Sequence, residues 1–192
     1  KFQKFFSEIY QDRWIELLKS MRIREKQVLR SCFKRTALEK ELSWLPNCSW
    51  YEENLAELAH SKNLEGLRNF YIMNPASIIA ARALEVCDND KVLDMCAAPG
   101  GKSLILMENI SSDGELWANE ISSNRRQKLT RVIREYVPSN LRDNIFVKGK
   151  DGLKYGLQHP DTFDKILIDA EHNVRDLTAH LGLAQSTVSA HL

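Results

Sequence analysis

The sequence predicts an α/β fold whose parallel sheet is doubly wound, and we expect this chain to hold the first half of that sheet. From residue 91 onward, short apolar segments that suit buried strands alternate with longer segments of helical periodicity. A turn of small residues and two adjacent glycines follows the first of these strands, as expected where a strand leads directly into a helix. We further expect an α-helical N-terminal region and a short C-terminal segment that resembles a helix-turn-helix.

The composition sets limits on the kind of protein. The 192 residues allow one domain of ordinary size and a smaller attachment, and 43% hydrophobic with 28% charged residues is typical of a globular protein. No apolar run reaches the roughly 18 residues of a membrane span, and Lys1-Phe2-Gln3-Lys4 leads into no secretory signal, so we expect the cytoplasm and no membrane partner. Because the net charge is only +1, any binding of nucleic acid must use local patches.

The four cysteines give no sign of a metal site. Cys32, Cys48, Cys87 and Cys96 form no C-x-x-C pair and no cluster with histidines. We therefore expect reduced thiols and no bound metal.

Residues 1–69 form the first predicted region, and their apolar residues recur at helical spacing. A first helix with Phe5, Ile9 and Trp14 should end near Ser20, and a second is expected over Val28, Leu29 and Phe33. A cationic stretch is either the solvated face of this second helix or a surface that contacts RNA phosphates: Arg22, Arg24, Lys26, Arg30, Lys34 and Arg35. Three aromatic residues either pack in the helical region or stack on bases: Trp44, Trp50 and Tyr51.

A segment after residue 70 leads toward the sheet. Phe70-Tyr71-Ile72-Met73 precedes a predicted helix through Ile78 and Ile79, which either Asn74 or Ser77 should cap, with Pro75 in its first turn.

The segment on which the functional prediction mainly depends runs from Lys91 to Lys102, where a strand turns through small residues into a helix. Such a turn directs the first N–H groups of the helix toward a negatively charged or carboxylate-bearing ligand, and Gly100 and Gly101 allow close approach or a positive φ. The glycine spacing fits neither G-x-G-x-x-G nor G-x-x-x-x-G-K-[ST]. From the glycines alone, an ordinary strand-to-helix turn stays an alternative.

The run Asp94-Met95-Cys96-Ala97-Ala98-Pro99-Gly100-Gly101-Lys102 resembles the S-adenosylmethionine loop of the RNA cytosine-5 methyltransferases, the Sun/Nop family that includes bacterial 16S rRNA enzymes. The resemblance covers residues 70–170 well and residues 1–69 loosely. It implies a Rossmann-like methyltransferase core over residues 70–170, an accessory RNA-binding region over residues 1–69, S-adenosyl-L-methionine as cofactor, and rRNA or tRNA as substrate.

The resemblance also implies the cofactor-binding residues. Glu120 follows the second predicted strand, and with Arg125 it matches the family's D-x-x-x-x-R pattern, with glutamate in place of aspartate. A carboxylate there can accept hydrogen bonds from both ribose hydroxyls, whereas Asp151 matches the acid beside the adenine. The alternatives are a solvent-facing acid at Glu120 and a surface turn at Asp151. The implied cofactor site contains Cys96, Ala97, Ala98, Pro99, Gly100, Gly101, Lys102, Glu120, Arg125, Asp151 and Asp169.

The family pattern breaks after the fourth strand, because Asp169-Ala170 is followed by Glu171-His172 instead of Pro-Cys. Methylation at C5 of cytosine needs a thiolate that adds at C6 and a group that balances charge near N3. The resemblance gives Asp169 the second role, as the catalytic residue. Since no cysteine follows Cys96, we expect the chain as given to hold the cofactor without completing the reaction.

Residues 171–192 resemble the helix-turn-helix of ArsR-type repressors, with an ordinary α-hairpin as the alternative. The resemblance implies that DNA is contacted by the start of the second helix, at Gln185, Ser186, Thr187 and Ser189.

The resemblance to ArsR-type repressors supports an alternative function, a DNA-binding regulator whose α/β part senses a small molecule. A generic nucleotide-binding protein with another cofactor is a third hypothesis for the function. The two resemblances do not normally share a chain, which favours a foreign origin for residues 171–192. The strand near Lys165 should then form an exposed sheet edge that favours self-association.

Overall fold

The computed structural model describes residues 2–20, 26–155, 159 and 162–168, which form six α-helices and seven strands in two sheets. The helices are α1 Phe2–Tyr10, α2 Trp14–Ser20, α3 Ala56–Ala59, α4 Pro75–Arg82, α5 Gly101–Met107 and α6 Ser123–Tyr136. The strands are β1 Val28–Ser31, β2 Cys48–Trp50, β3 Phe70–Met73, β4 Lys91–Asp94, β5 Glu115–Asn119, β6 Ile145–Lys148 and β7 Lys165–Leu167.

The larger sheet confirms the predicted half of a doubly wound fold. Its strands run in the order β6-β5-β4-β7, and each neighbouring pair is parallel. The chain moves outward from β4 through β5 to β6 and then returns to the other side of β4. The order therefore reverses at β4, which is where open α/β sheets bind ligands.

The first helical prediction is confirmed for α1 and α2, and the second is wrong. Val28 and Leu29 lie in β1, which pairs antiparallel with β2 on one side and β3 on the other. All four residues of β1 are buried, so the strand is covered on both faces. Its apolar residues are therefore not the apolar stripe of an amphipathic helix. Phe33 and Lys34 have φ values of +53° and +51°, which end any helical path there.

The helix after β3 has the predicted cap. The side chain of Asn74 accepts a hydrogen bond from the N–H of Ala76 at 2.8 Å, and Pro75 occupies the first turn of α4. β3 itself belongs to the small sheet, which thus includes residues on both sides of the boundary expected at residue 70.

Two predictions about the N-terminal surface need correction. Arg30 has 0% exposure, and its guanidinium donates to the carboxylate of Glu108 just after α5, so it is neither solvated nor free to meet RNA. Arg35 donates to the carbonyl oxygens of Arg68 and Tyr136, which uses its guanidinium internally. Trp44 and Trp50 are exposed and lie against each other with ring centroids 6.1 Å apart, so the expected packing inside a helical region is wrong for this pair. Arg22 and Arg24 lie outside the described residues.

One hydrophobic core connects the two sheets. Val28 and Cys48 of the small sheet join the same buried cluster as Leu104 and Leu106 of α5 and Leu116 of β5. Because α5 begins at the small-residue turn, the packing that holds the small sheet also fixes the helix that leaves this turn.

Candidate functional site

Those predicted cofactor residues that the structure describes gather at one edge of the parallel sheet. The segments that leave β4, β5 and β6 lead into residues 95–100, Glu120 and Asp151, and parallel strands place their carboxyl ends at the same edge. Backbone hydrogen bonds join these segments, from the Ala97 N–H to the Asn119 oxygen at 2.9 Å and from the Glu120 N–H to the Lys148 oxygen at 3.0 Å.

The turn after β4 is anchored by a buried carboxylate. Asp94 is buried at the end of β4, and the hydroxyl of Ser103 in α5 donates to its Oδ2 atom at 2.7 Å. Ala97 and Ala98 are buried, whereas Cys96 and Lys102 are half-buried and Pro99 is exposed. The turn is thus packed on its inner side and open on its outer side.

The two glycines are required by their neighbours in the fold. Gly100 has φ +119°, and a Cβ there would lie 2.9 Å from Cγ1 of Val132 in α6. A Cβ at Gly101 would lie 2.9 Å from the ring of Tyr71 in β3. The positive φ expected at this turn is therefore present at Gly100, and both glycines allow α6 and β3 to pack against it.

Glu120 and Arg125 are brought together and joined to this turn. Glu120 is 3% exposed; its Oε1 atom accepts the N–H of Ser122 at 2.9 Å, and its Oε2 atom lies 3.3 Å from Nη1 of Arg125. The Nη2 atom of Arg125 donates to the carbonyl oxygen of Ala98 at 2.9 Å. Each carboxylate oxygen has two acceptor positions, so Glu120 keeps capacity for hydroxyl donors.

Asn119 organises the same edge, and sequence reasoning missed it. Its side-chain amide donates to the carbonyl oxygens of Met95 and Lys150, at 3.3 Å and 2.9 Å, and its Oδ1 atom accepts the N–H of Lys150 at 2.9 Å. This amide holds the segment before Asp151 against the turn after β4, and Asp151 itself is half-buried. The available signal was a polar amide inside a buried strand, directly before the acid.

Ile121 is a second residue that was missed. It follows Glu120 and leaves 65% of its surface exposed, next to a carboxylate that is almost fully buried. An exposed isoleucine at this edge provides apolar surface against which a planar base can pack.

Several predicted residues cannot be placed. Asp169 lies outside the described residues, as do Gln185, Ser186, Thr187 and Ser189, so their roles stay predictions. β7 ends at Leu167, whose carbonyl oxygen accepts the N–H of Met95 at 2.9 Å. Within the described ranges, no three histidine, cysteine, aspartate or glutamate residues assemble as metal ligands. No helix there is both long and apolar enough to cross a bilayer.

This sheet order, with a small-residue turn after β4 and a buried acid after β5, defines a Rossmann-like methyltransferase fold. A solved structure of a methyltransferase homolog protein from Pyrococcus horikoshii has the same fold, with a TM-score of 0.65 over 85% of this chain and 57% of that chain at 23% identity. Residues 81–173 match the family model of the 16S rRNA methyltransferases RsmB/F. Over these residues, just under half of the chain, the sequence is similar to the RNA cytosine-5 methyltransferases.

Two curated relatives show how much of such a protein is present. The chain is 42% identical over 106 residues to the 5-cytosine rRNA methyltransferase NSUN4 of Bos taurus, a match that covers 54% of this chain and 27% of the relative. It is 35% identical over 150 residues to the ribosomal RNA small subunit methyltransferase F of Aliivibrio fischeri, a match that covers 72% of this chain and 30% of the relative. The chain thus spans less than a third of either relative.

Residues 165–192 match a second family model, that of the bacterial regulatory proteins of the arsR family. The two matches overlap at residues 165–173. β7, at Lys165–Leu167, pairs in parallel with β4, so these three residues are part of the methyltransferase sheet. Among the described strands, β7 pairs with β4 alone. Neither the relatives nor the described residues support DNA contact or self-association.

Proposed function

We propose that this chain is the cofactor-binding part of a methyltransferase that uses S-adenosyl-L-methionine to methylate C5 of cytosine in RNA. The observation that carries the proposal is the connection from the turn at residues 95–100 through Arg125 to the buried carboxylate of Glu120. This connection places the turn that contains Gly100 and the hydrogen-bond acceptor Glu120 together at the carboxyl ends of the strands. They lie at the point where the strand order reverses.

The residues at this edge fit the parts of that cofactor. Glu120 has free acceptor capacity for the two ribose hydroxyls, Ile121 offers an apolar surface to the adenine, and Asp151 lies on the segment that Asn119 holds beside them. The turn at Ala97 through Lys102 would surround the methionine portion. When bound, S-adenosylmethionine supplies an electrophilic methyl group, and the chain's own residues would position it.

At the cytosine that accepts the methyl group, we propose that Asp169 balances charge at N3, as the family resemblance implies. The substrate class, rRNA or tRNA, follows from what the relatives are named for and is part of the proposal. The expected compartment and the division at residues 69 and 170 stay predictions.

Isothermal titration with S-adenosylmethionine tests the proposal. Glu120→Ala should weaken binding by about 10- to 150-fold, since a hydrogen-bonding contact to a charged group is worth about 1.5–3 kcal/mol. Glu115→Ala is the matched control, because Glu115 begins β5 whereas Glu120 follows the other end of that strand, so this variant should leave the affinity unchanged. If the unsubstituted chain gave no detectable heat at millimolar ligand, the proposal would be wrong.

A further inference from the structure

The outer face of α6 carries a shallow cationic depression, which we call the α6 groove. It is lined by Arg126, Gln127, Thr130, Arg131, Arg134 and Glu135, so three arginines face one carboxylate. Gln127 adds a neutral polar group of the kind that often contacts phosphates together with arginine.

The single acid of the α6 groove is already neutralised. Oε2 of Glu135 lies 2.9 Å from Nε of Arg68, which comes from the N-terminal region. In the part of the chain that the structure describes, no carboxylate pairs with Arg131 or Arg134, and both side chains are exposed. In a chain with a net charge of +1, these arginines form a local positive surface.

One end of the α6 groove meets the candidate cofactor edge. The Nη1 atom of Arg126 donates to the carbonyl oxygens of Glu120 and Ile121, at 2.7 Å and 3.1 Å. The guanidinium also occupies the space beside Gly149, where a Cβ would lie 2.4 Å from Nη1. With a rise of about 1.5 Å per residue, Arg134 lies roughly 12 Å farther along the helix.

We infer that the α6 groove binds phosphate groups of the RNA backbone as the strand approaches the cofactor edge. This inference rests on the proposed function, which supplies RNA as the substrate. The charge of the surface complements a phosphate backbone, and guanidinium groups donate to two phosphate oxygens at once. The α6 groove takes the place of the cationic stretch near residue 30, where Arg30 and Arg35 are committed to contacts inside the protein.

The test compares two neutralised arginines with a neutralised lysine on the same helix. Binding of a fluorescent RNA hairpin with a single-stranded loop is measured over a range of salt concentrations for the full chain, for Arg131→Gln with Arg134→Gln, and for Lys128→Gln. Lys128 is exposed on α6 but does not line the α6 groove. The double variant should lose about tenfold or more in affinity. Its slope of log affinity against log salt should become shallower by about 1.4, since each single-strand phosphate contact contributes about 0.7.

Lys128→Gln should change neither the affinity nor the slope appreciably, and Arg131→Lys with Arg134→Lys should keep most of the slope because the charge remains. An unchanged slope in the double glutamine variant, an equal loss in Lys128→Gln, or no RNA binding by the unsubstituted chain would overturn the inference. Circular dichroism verifies that each variant is folded. Titration with S-adenosylmethionine should be unaffected by the double variant. A chain that binds RNA through these arginines but binds no cofactor would refute the proposed cofactor site and leave the α6 groove standing.

Discussion

The guanidinium of Arg30 in β1 donates to the carboxylate of Glu108 at the end of α5, and this ion pair joins the small sheet to the helix that leaves the turn at residues 95–100. The Arg30 side chain is 1% exposed and the Glu108 side chain 18%, so the pair lies mostly away from water. The same Glu108 oxygen accepts the N–H of Phe33 at 2.7 Å. Two segments 75 or more residues apart in sequence therefore depend on one carboxylate.

Glu108→Ala should lower the free energy of unfolding by about 3–5 kcal/mol, because it leaves a buried guanidinium without its partner. Urea denaturation measures the change. Glu135→Ala is the control, since its pair with Arg68 has side chains 27% and 38% exposed and should contribute only about 0–1 kcal/mol. Replacing both partners, Arg30→Met with Glu108→Leu, should recover part of the loss. Equal losses for Glu108→Ala and Glu135→Ala would show that the buried pair does not stabilise the junction.

Gly100→Ala should destabilise the chain more than Gly66→Ala does. Both glycines have positive φ, +119° and +78°, so both variants carry the backbone cost of about 1–2 kcal/mol. Only at Gly100 would the new Cβ meet a neighbour, Cγ1 of Val132 at 2.9 Å, whereas nothing lies within 4 Å at Gly66. The difference between the two variants in urea denaturation should be about 1–3 kcal/mol, the cost of overpacking. Gly100→Ala should also weaken binding of S-adenosylmethionine, and equal effects of the two variants would contradict the packing argument.

Alkylation of Cys96 should be slowed by S-adenosylmethionine. Cys96 is half-buried in the turn after β4, so a ligand seated against this turn should cover it. Cys87 is exposed and precedes β4, at the end of that strand opposite the turn, so it serves as an internal control whose rate should not change. Treatment with iodoacetamide followed by mass spectrometry of the peptides measures both rates in one sample. If the cofactor protected Cys87 and Cys96 equally, or neither of them, the proposed location of the site would be wrong.

The unfolding free energy should fall as the pH rises from about 9 to about 11. Burial raises the pKa of Cys32 to about 11 and that of Cys48 to about 11, from an ordinary value of 9.0. Below pH 9 both thiols are neutral in the folded and unfolded chain, but above it the unfolded thiols ionise first and unfolding becomes easier. Urea denaturation across this range measures the decline. Cys32→Ala with Cys48→Ala should make it shallower, and an unchanged decline would show that these thiols do not cause it.

The sheet at residues 91–167 could be predicted because its signals are local. Val92 and Leu93 are bounded by turn-forming residues, and the helix with Leu129 and Ile133 has its apolar residues at helical spacing and Pro138 beyond its end. The apolar run reflects a strand buried on both faces and the helical spacing reflects one buried helix face, so both patterns are visible in the local sequence. Glu120 and Arg125 could be proposed because the family resemblance extends to their spacing, and the structure brings the two side chains together.

β1 could not be predicted in the same way. Around β1, apolar residues such as Val28, Leu29 and Phe33 alternate with charged residues at a spacing that a helix would also give. The segment is nevertheless a strand, because β2 and β3, some 20 and 40 residues away, pair with its two edges. The burial of Arg30 and the contacts of Asn119 likewise depend on residues that are distant in sequence. Arg30 becomes an internal residue only because Glu108 lies across the junction, and Asn119 orders the cofactor edge only because three separate segments meet there.

From residue 91 onward, the sequence by itself determined the order of strands and helices and the strand-to-helix turn with its two glycines. Only the tertiary structure decided which cations are available to a partner. The α6 groove exposes Arg131 and Arg134, whereas the small sheet encloses Arg30. The physical reason is that exposure and ion pairing depend on residues far apart in the chain, and local periodicity carries no information about which of those residues come together.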